Sequence, residues 1–114
     1  MPTVYLVCPL SILADMKPVE AFGRLEIINN RFVYSDELAN DRLPLIIHQR
    51  LLEAAKGFNT ACDYLMLGGD HLQFTTMAAM LGAQFDFFYV LRWDRKVSGY
   101  VPARVMTGVL EFHT

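Results

Sequence analysis

Hydrophobic and polar positions follow two periods along this chain, and the changes of period mark out its elements. Val4-Tyr5-Leu6-Val7-Cys8 is a continuous apolar run closed by Pro9. Such a run reads as a short strand buried on both faces. Residues 10–22 hold Leu10, Ile12, Leu13 and Met16 but are broken by Pro18. That predicts a loop with one or two helical turns. From Arg24 to Ile28 the pattern alternates, which predicts a half-exposed strand. Asn29-Asn30 is a turn, since Asn tolerates positive φ. Arg31-Phe32-Val33-Tyr34 reads as a short return strand, and residues 35–42 as a polar, acidic surface connection.

The period then changes to three and four. Leu43, Ile47, Leu51, Ala54 and Phe58 form one stripe, with Arg42, Gln49, Arg50, Glu53 and Lys56 mostly away from it. This predicts an amphipathic helix over 43–58. Asn40 or Asp41 would cap it, Pro44 would sit in its first turn, and Gly57 and Asn59 would stop it. A second unit follows at once. Tyr64-Leu65-Met66-Leu67 is an apolar strand, Gly68-Gly69 a tight turn, and 72–81 a helix. Asp70 with Gln73 three residues on resembles a capping box.

Residues 85–95 give the longest strand. Phe87, Tyr89, Leu91 and Trp93 point one way; Phe88, Val90, Arg92 and Asp94 point the other. Lys96-Val97-Ser98-Gly99 is a hairpin turn, and residues 100–106 the returning strand. Pro102 cannot donate to a ladder, so that strand belongs at an edge. Gly108 to Thr114 is either a frayed tail or one more short apolar segment.

Helices between strands imply parallel neighbours with right-handed crossovers. The expected fold is therefore α/β: a small mixed sheet of four to five strands, two main helices and a C-terminal antiparallel hairpin. At 114 residues, one domain over 1–114 is expected.

Composition sharpens this in three ways. A hydrophobic share of 54% exceeds what a small core needs. The surplus points to a covered surface, most simply a homodimer face. The formal charge of -2, from 10 basic and 12 acidic residues, lacks the basic footprint of a nucleic-acid protein. Cys8 and Cys62 are far apart and match no metal or dithiol motif, so both read as reduced and structural. The apolar start is interrupted by Pro9 and Asp15 and is neither a leader nor a membrane span. A soluble, cytoplasmic protein without cofactor or metal is expected.

Two places could carry chemistry. Gly68, Gly69, Asp70 and His71 lie where a strand turns into a helix, and the unpaired N–H groups of a helix start favour an anion. The known phosphate fingerprints are missing, and Asp70 would repel a phosphate. The plain alternative is a glycine turn with Asp70 as cap and His71 exposed. Arg92, Asp94 and Arg95 lie at the end of the long strand. If the two strands are parallel, Asp70, His71, Arg92 and Asp94 could converge and bind phosphate or a divalent metal. The plain alternative there is a cross-strand ion pair with Arg104 and a Trp covering the sheet. His48 and His113 are not placed like catalytic bases, and no serine sits in a nucleophile elbow.

Residues 63–71 (Asp-Tyr-Leu-Met-Leu-Gly-Gly-Asp-His), 91–95 (Leu-Arg-Trp-Asp-Arg) and Tyr100-Val101-Pro102 resemble small uncharacterised proteins encoded by tailed bacteriophages. The resemblance implies a host-cell setting and an accessory role, binding and modulating a host or phage protein. It brings no active site with it. A non-enzymatic binding protein, with a protein partner, is thus the first expectation. Binding of a nucleotide or phosphate at Gly68–His71 with Arg92 or Arg95 is the second. A metal-dependent hydrolase using Asp70, His71 and Asp94 is the third.

Overall fold

A computed structural model describes residues 2–10, 17–30 and 43–108. Its elements in chain order are β1 (Thr3–Leu6), a 3₁₀ helix (Lys17–Ala21), β2 (Arg24–Ile27), α1 (Leu45–Lys56), β3 (Tyr64–Met66), α2 (His71–Gln84), β4 (Phe87–Asp94) and β5 (Gly99–Met106). The five strands form one sheet in the order β2-β1-β3-β4-β5. The first four run parallel, and β5 returns antiparallel along β4 from Asp94↔Gly99 to Phe87↔Met106. The mixed sheet, the two helices and the terminal hairpin are those the periodicities predict. Pro102 lies on an edge strand, where its missing N–H breaks no inner ladder.

The strand order divides the crossovers between the two faces. From β1 the chain steps one way to β2; from β2 to β3 and from β3 to β4 it steps the other way. Right-handed crossovers therefore put α1 and α2 on one face and the 3₁₀ helix on the other. Two apolar clusters follow. One joins Leu51, Ala55, Phe58, Met77 and Leu81 of the helical layer to Tyr5, Val7, Leu65, Phe88 and Val90. The other joins Val19 of the 3₁₀ helix to Val4, Leu6, Met66 and Leu91. β1 thus buries both faces, as its unbroken apolar run requires.

Some local expectations need correction. α1 begins at Leu45, not at residue 43, and its N-cap position is Pro44, which makes no side-chain cap. A residue before proline is held extended, so Leu43 cannot be helical. Asn40 and Asp41, the expected caps, lie outside the described residues, as do the expected return strand 31–34, the connection 35–42 and residues 109–114. β3 is one residue shorter than expected, although Leu67 N–H still donates to the Leu91 carbonyl at 2.8 Å. α2 is longer than expected at both ends. No helix among the described residues is long and apolar enough to cross a membrane.

Leu51 is fully buried in the helical layer. Leu51→Ala is expected to lower the unfolding free energy in urea by about 2–5 kcal/mol. Ile46→Ala, on an exposed position of the same helix, should change it by no more than ~0.5 kcal/mol.

Candidate functional site

In an open parallel sheet, ligands bind beyond the carboxyl ends of the strands, where neighbouring crossovers diverge. Here that place lies between β1 and β3. The Gly68-Gly69 turn spans it. Gly69 has φ +81°, in the left-handed region, and a Cβ there would lie 3.0 Å from the Cys8 carbonyl oxygen. The two chain segments therefore touch, backbone to backbone, at the point where a crevice would open. A Cβ on Gly68 would meet the Leu10 side chain at 2.9 Å.

The polar groups at this point are mostly occupied by one another. Asp70 is the N-cap of α2, and its carboxylate accepts from Gln73 N–H at 2.9 Å. Asp70 N–H donates to Cys8 Sγ at 3.2 Å. The expected capping box is thus half formed. Gln73 does not reach back to Asp70, because its side chain turns into the core and accepts from Asn29 Nδ2 at 2.9 Å. Both amides are buried, and among the described residues Asn29 Oδ1 and Gln73 Nε2 find no hydrogen-bond partner. Each such atom costs about 1–3 kcal/mol, so this pair holds the end of β2 to the start of α2 at a cost in stability. Burial pushes the Cys8 thiol up, while the Asp70 N–H pulls it down more weakly.

Of the sequence-predicted residues, Gly68 and His71 border a shallow depression of about 390 Å³ with Leu67, Phe74 and Thr75. His71 is exposed. Asp70 faces its own helix: its carboxylate already supplies the negative charge that the helix start favours, so the geometry does not favour a phosphate there. Arg92, Asp94 and Arg95 lie at the end of β4 and in the turn after it. β3 and β4 are parallel neighbours as that reading required. Yet among the described residues no hydrogen bond or ion pair joins Asp70 or His71 to Arg92, Asp94 or Arg95. Asp94 instead accepts from Lys96 N–H at 2.9 Å and shapes the hairpin turn. Arg104 lies 6.0 Å from the Phe87 ring centre rather than against Asp94. Trp93 packs edge-on against Tyr100 at 5.2 Å.

Among the described residues no group of three or more His, Cys, Asp or Glu is placed to hold a metal ion. Asp70, His71 and Asp94 therefore do not form the triad that a metal-dependent hydrolase would use. Asp63 has a structural part that sequence reasoning missed. It is 6% exposed, and its carboxylate accepts from Thr3 N–H at 3.0 Å and Asn59 N–H at 2.9 Å. Its position just before an apolar strand was the only signal, and a carboxylate there reads equally as surface.

These features define a small α/β protein whose sheet winds both ways from β1 and whose switch point is filled by its own side chains. The chain belongs to the Phage Pam3 gp32-like protein family, whose profile matches residues 10–107. That span includes all three stretches that carry the phage resemblance. No curated protein and no solved structure matches the chain.

Asp70→Ala is expected to cost about 0.5–2 kcal/mol in a thermal or urea melt, and Asp70→Asn less, because Asn caps nearly as well. The thiol adds a pH dependence. The native Cys8 holds its proton above the ordinary value of 9.0, whereas the unfolded chain releases it near that value. Its contribution is therefore complete below the ordinary value and declines as pH rises towards the native one. Wild type should lose stability more steeply than Cys8→Ala between about pH 8 and 10.

Proposed function

We propose that this phage-family protein is a non-enzymatic binding protein that docks on a host or phage protein through the carboxyl-terminal rim of its sheet. One observation carries the reading. Among the described residues, seven large hydrophobic side chains are exposed: Leu45, Ile46, Leu67, Leu72, Trp93, Val97 and Met106. All but Met106 belong to this rim. α1 ends beside the starts of β1 and β3, since the loop after it is tied to Thr3 through Asp63. At about 18 Å long, α1 therefore begins at the opposite end, with Leu45 and Ile46. Leu67 and Leu72 flank the β3–α2 turn, and Trp93 and Val97 flank the β4–β5 turn.

Apolar side chains left in water beside a filled crevice suit a protein surface better than a small ligand. The charges beside them state the partner's chemistry. Arg92, Arg95 and Lys96 are exposed at the hairpin end, while the Asp70 and Asp94 carboxylates accept from backbone N–H groups. The fitting partner has an apolar centre bordered by acidic residues.

A photo-activatable amino acid at position 67 or 97 tests this in phage-infected cells. The expected result is one cross-linked host or phage protein at both positions and none from position 53, on the outer face of α1. Arg92→Glu with Arg95→Glu should abolish the product. Cross-linking that ignores those charges, or is equal from position 53, overturns the reading. A thermal shift with nucleotides and Mg²⁺ or Mn²⁺, worth about 2.7 kcal/mol for a ligand at 100 times its dissociation constant, would favour the Gly68–His71 turn instead.

A further inference from the structure

We infer that the depression between α2 and the end of β3 seats one aromatic side chain of the protein partner, and that Arg92 at its lip takes the carboxylate of an acidic residue next to that ring. The anchor lies within the rim proposed above and rests on that reading. Leu67, Gly68, His71, Phe74 and Thr75 line the depression, of about 390 Å³. A Cβ on Gly82 would meet the Thr107 side chain at 3.3 Å, so that side of α2 faces the end of β5. Thr75 and His71 stand seven and eleven residues before Gly82, close to two and three full turns, and so on the same side. The depression therefore opens towards the hairpin. On the sheet beneath, Leu65 pairs with Val90, and both join the core of the helical layer. Leu67 N–H still donates to the Leu91 carbonyl. The next pair on that face, two residues on, is thus Leu67 beside Arg92. Arg92 is exposed, and among the described residues no ion pair or hydrogen bond engages its guanidinium.

Leu67, 51% exposed, and the half-buried Phe74 ring give the depression apolar walls. His71 and Thr75, both exposed, put polar groups at its mouth. An amphipathic ring, Trp or Tyr, matches that division, with its body on Phe74 and its N–H or O–H at the mouth. The depression is shallow and does not enclose most of a free ligand, as small-molecule sites do. A ring delivered by a protein surface needs no such enclosure, because the contacts around it exclude water. Charge chooses what stands next to the ring. Arg92, Arg95 and Lys96 are exposed at this end, whereas the carboxylates of Asp70 and Asp94 each accept a backbone N–H. Arg92 stands beside the depression, and its planar fork suits a carboxylate. Single-stranded nucleic acid also offers a ring and an anion, but its phosphates need a track of cations, which Asp70 and Asp94 interrupt.

Amide NMR of the whole chain, titrated with the dipeptide N-acetyl-Asp-Trp-amide, tests this. The dipeptide should shift the Leu67, Gly68, His71 and Thr75 resonances with a dissociation constant on the order of 1 mM. N-acetyl-Asn-Trp-amide, which lacks only the charge, should bind about threefold more weakly. Arg92→Gln should make the two bind alike, and N-acetyl-Asp-Ala-amide should not bind. Thr75→Trp, which fills the depression from an exposed position, should abolish the shifts; Leu67→Lys serves the same purpose if that variant does not fold. A wild type whose resonances do not move at about 20 mM dipeptide overturns the inference. So does binding that ignores the charge, binding that the filling variant leaves intact, or tighter binding of a thymidine tetranucleotide at the same resonances. Cross-linking from positions 67 and 97 separates the anchor from the rim. Capture of one partner that Thr75→Trp leaves unchanged keeps the rim and removes the anchor, whereas no capture by wild type removes the rim itself.

Discussion

The Asp63 carboxylate holds the layers of this protein in step. One oxygen takes the Thr3 N–H at the start of β1, and the other takes the Asn59 N–H in the loop that leaves α1. Charge-assisted bonds are the stronger kind, and losing this carboxylate would take the partner from two part-buried donors at once. The tie fixes where β3 starts beside β1, with Val4 opposite Tyr64. It also places the end of α1 so that Phe58 meets Tyr5 with ring centres 5.6 Å apart. With that end anchored, the lengths of α1 and the strands determine what arrives at the other end. The exposed rim is in this sense positioned by a carboxylate at the far side of the sheet.

Much of the fold is legible in the residues, because periodicity reports burial directly. The stripe through Leu51 and Phe58 marks the helical layer, the alternation in β4 separates its faces, and Pro102 marks an edge. Strand order is not written locally. That β2 stands outside β1 follows from which way the chain steps after Cys8, a matter of whole-sheet packing. The candidate site is legible only in part. Gly69 and Asp70 are readable because a left-handed turn and an N-cap each demand particular residue types. The use of Gln73 is not, because its spacing from Asp70 suits a capping box while its partner, Asn29, is 44 residues away. Arg92 and Asp94 looked able to converge with Asp70 because parallel strand ends lie together. The Asp94 carboxylate instead accepts from the Lys96 N–H in the turn that follows.

The filled switch point explains why a familiar architecture need not carry a familiar activity. In this sheet the position reserved for a ligand is taken by Cys8, Leu10 and the Asn29–Gln73 pair. Those amides leave two polar atoms unmatched, which is a poor arrangement for stability alone. They nonetheless hold the end of β2 against the first turn of α2.

The two sheet edges bear on how copies of this chain can meet. β2 has four residues, with Arg24 and Glu26 exposed, and β5 carries Pro102. Short, charged or proline-bearing edges resist strand addition. Pairing edge to edge would repeat without limit, since each added copy offers a fresh edge. Stacking face to face uses the same patch on both copies and leaves none over. The protected edges disfavour the first geometry for this chain, so concentration alone does not extend its sheet into a fibre.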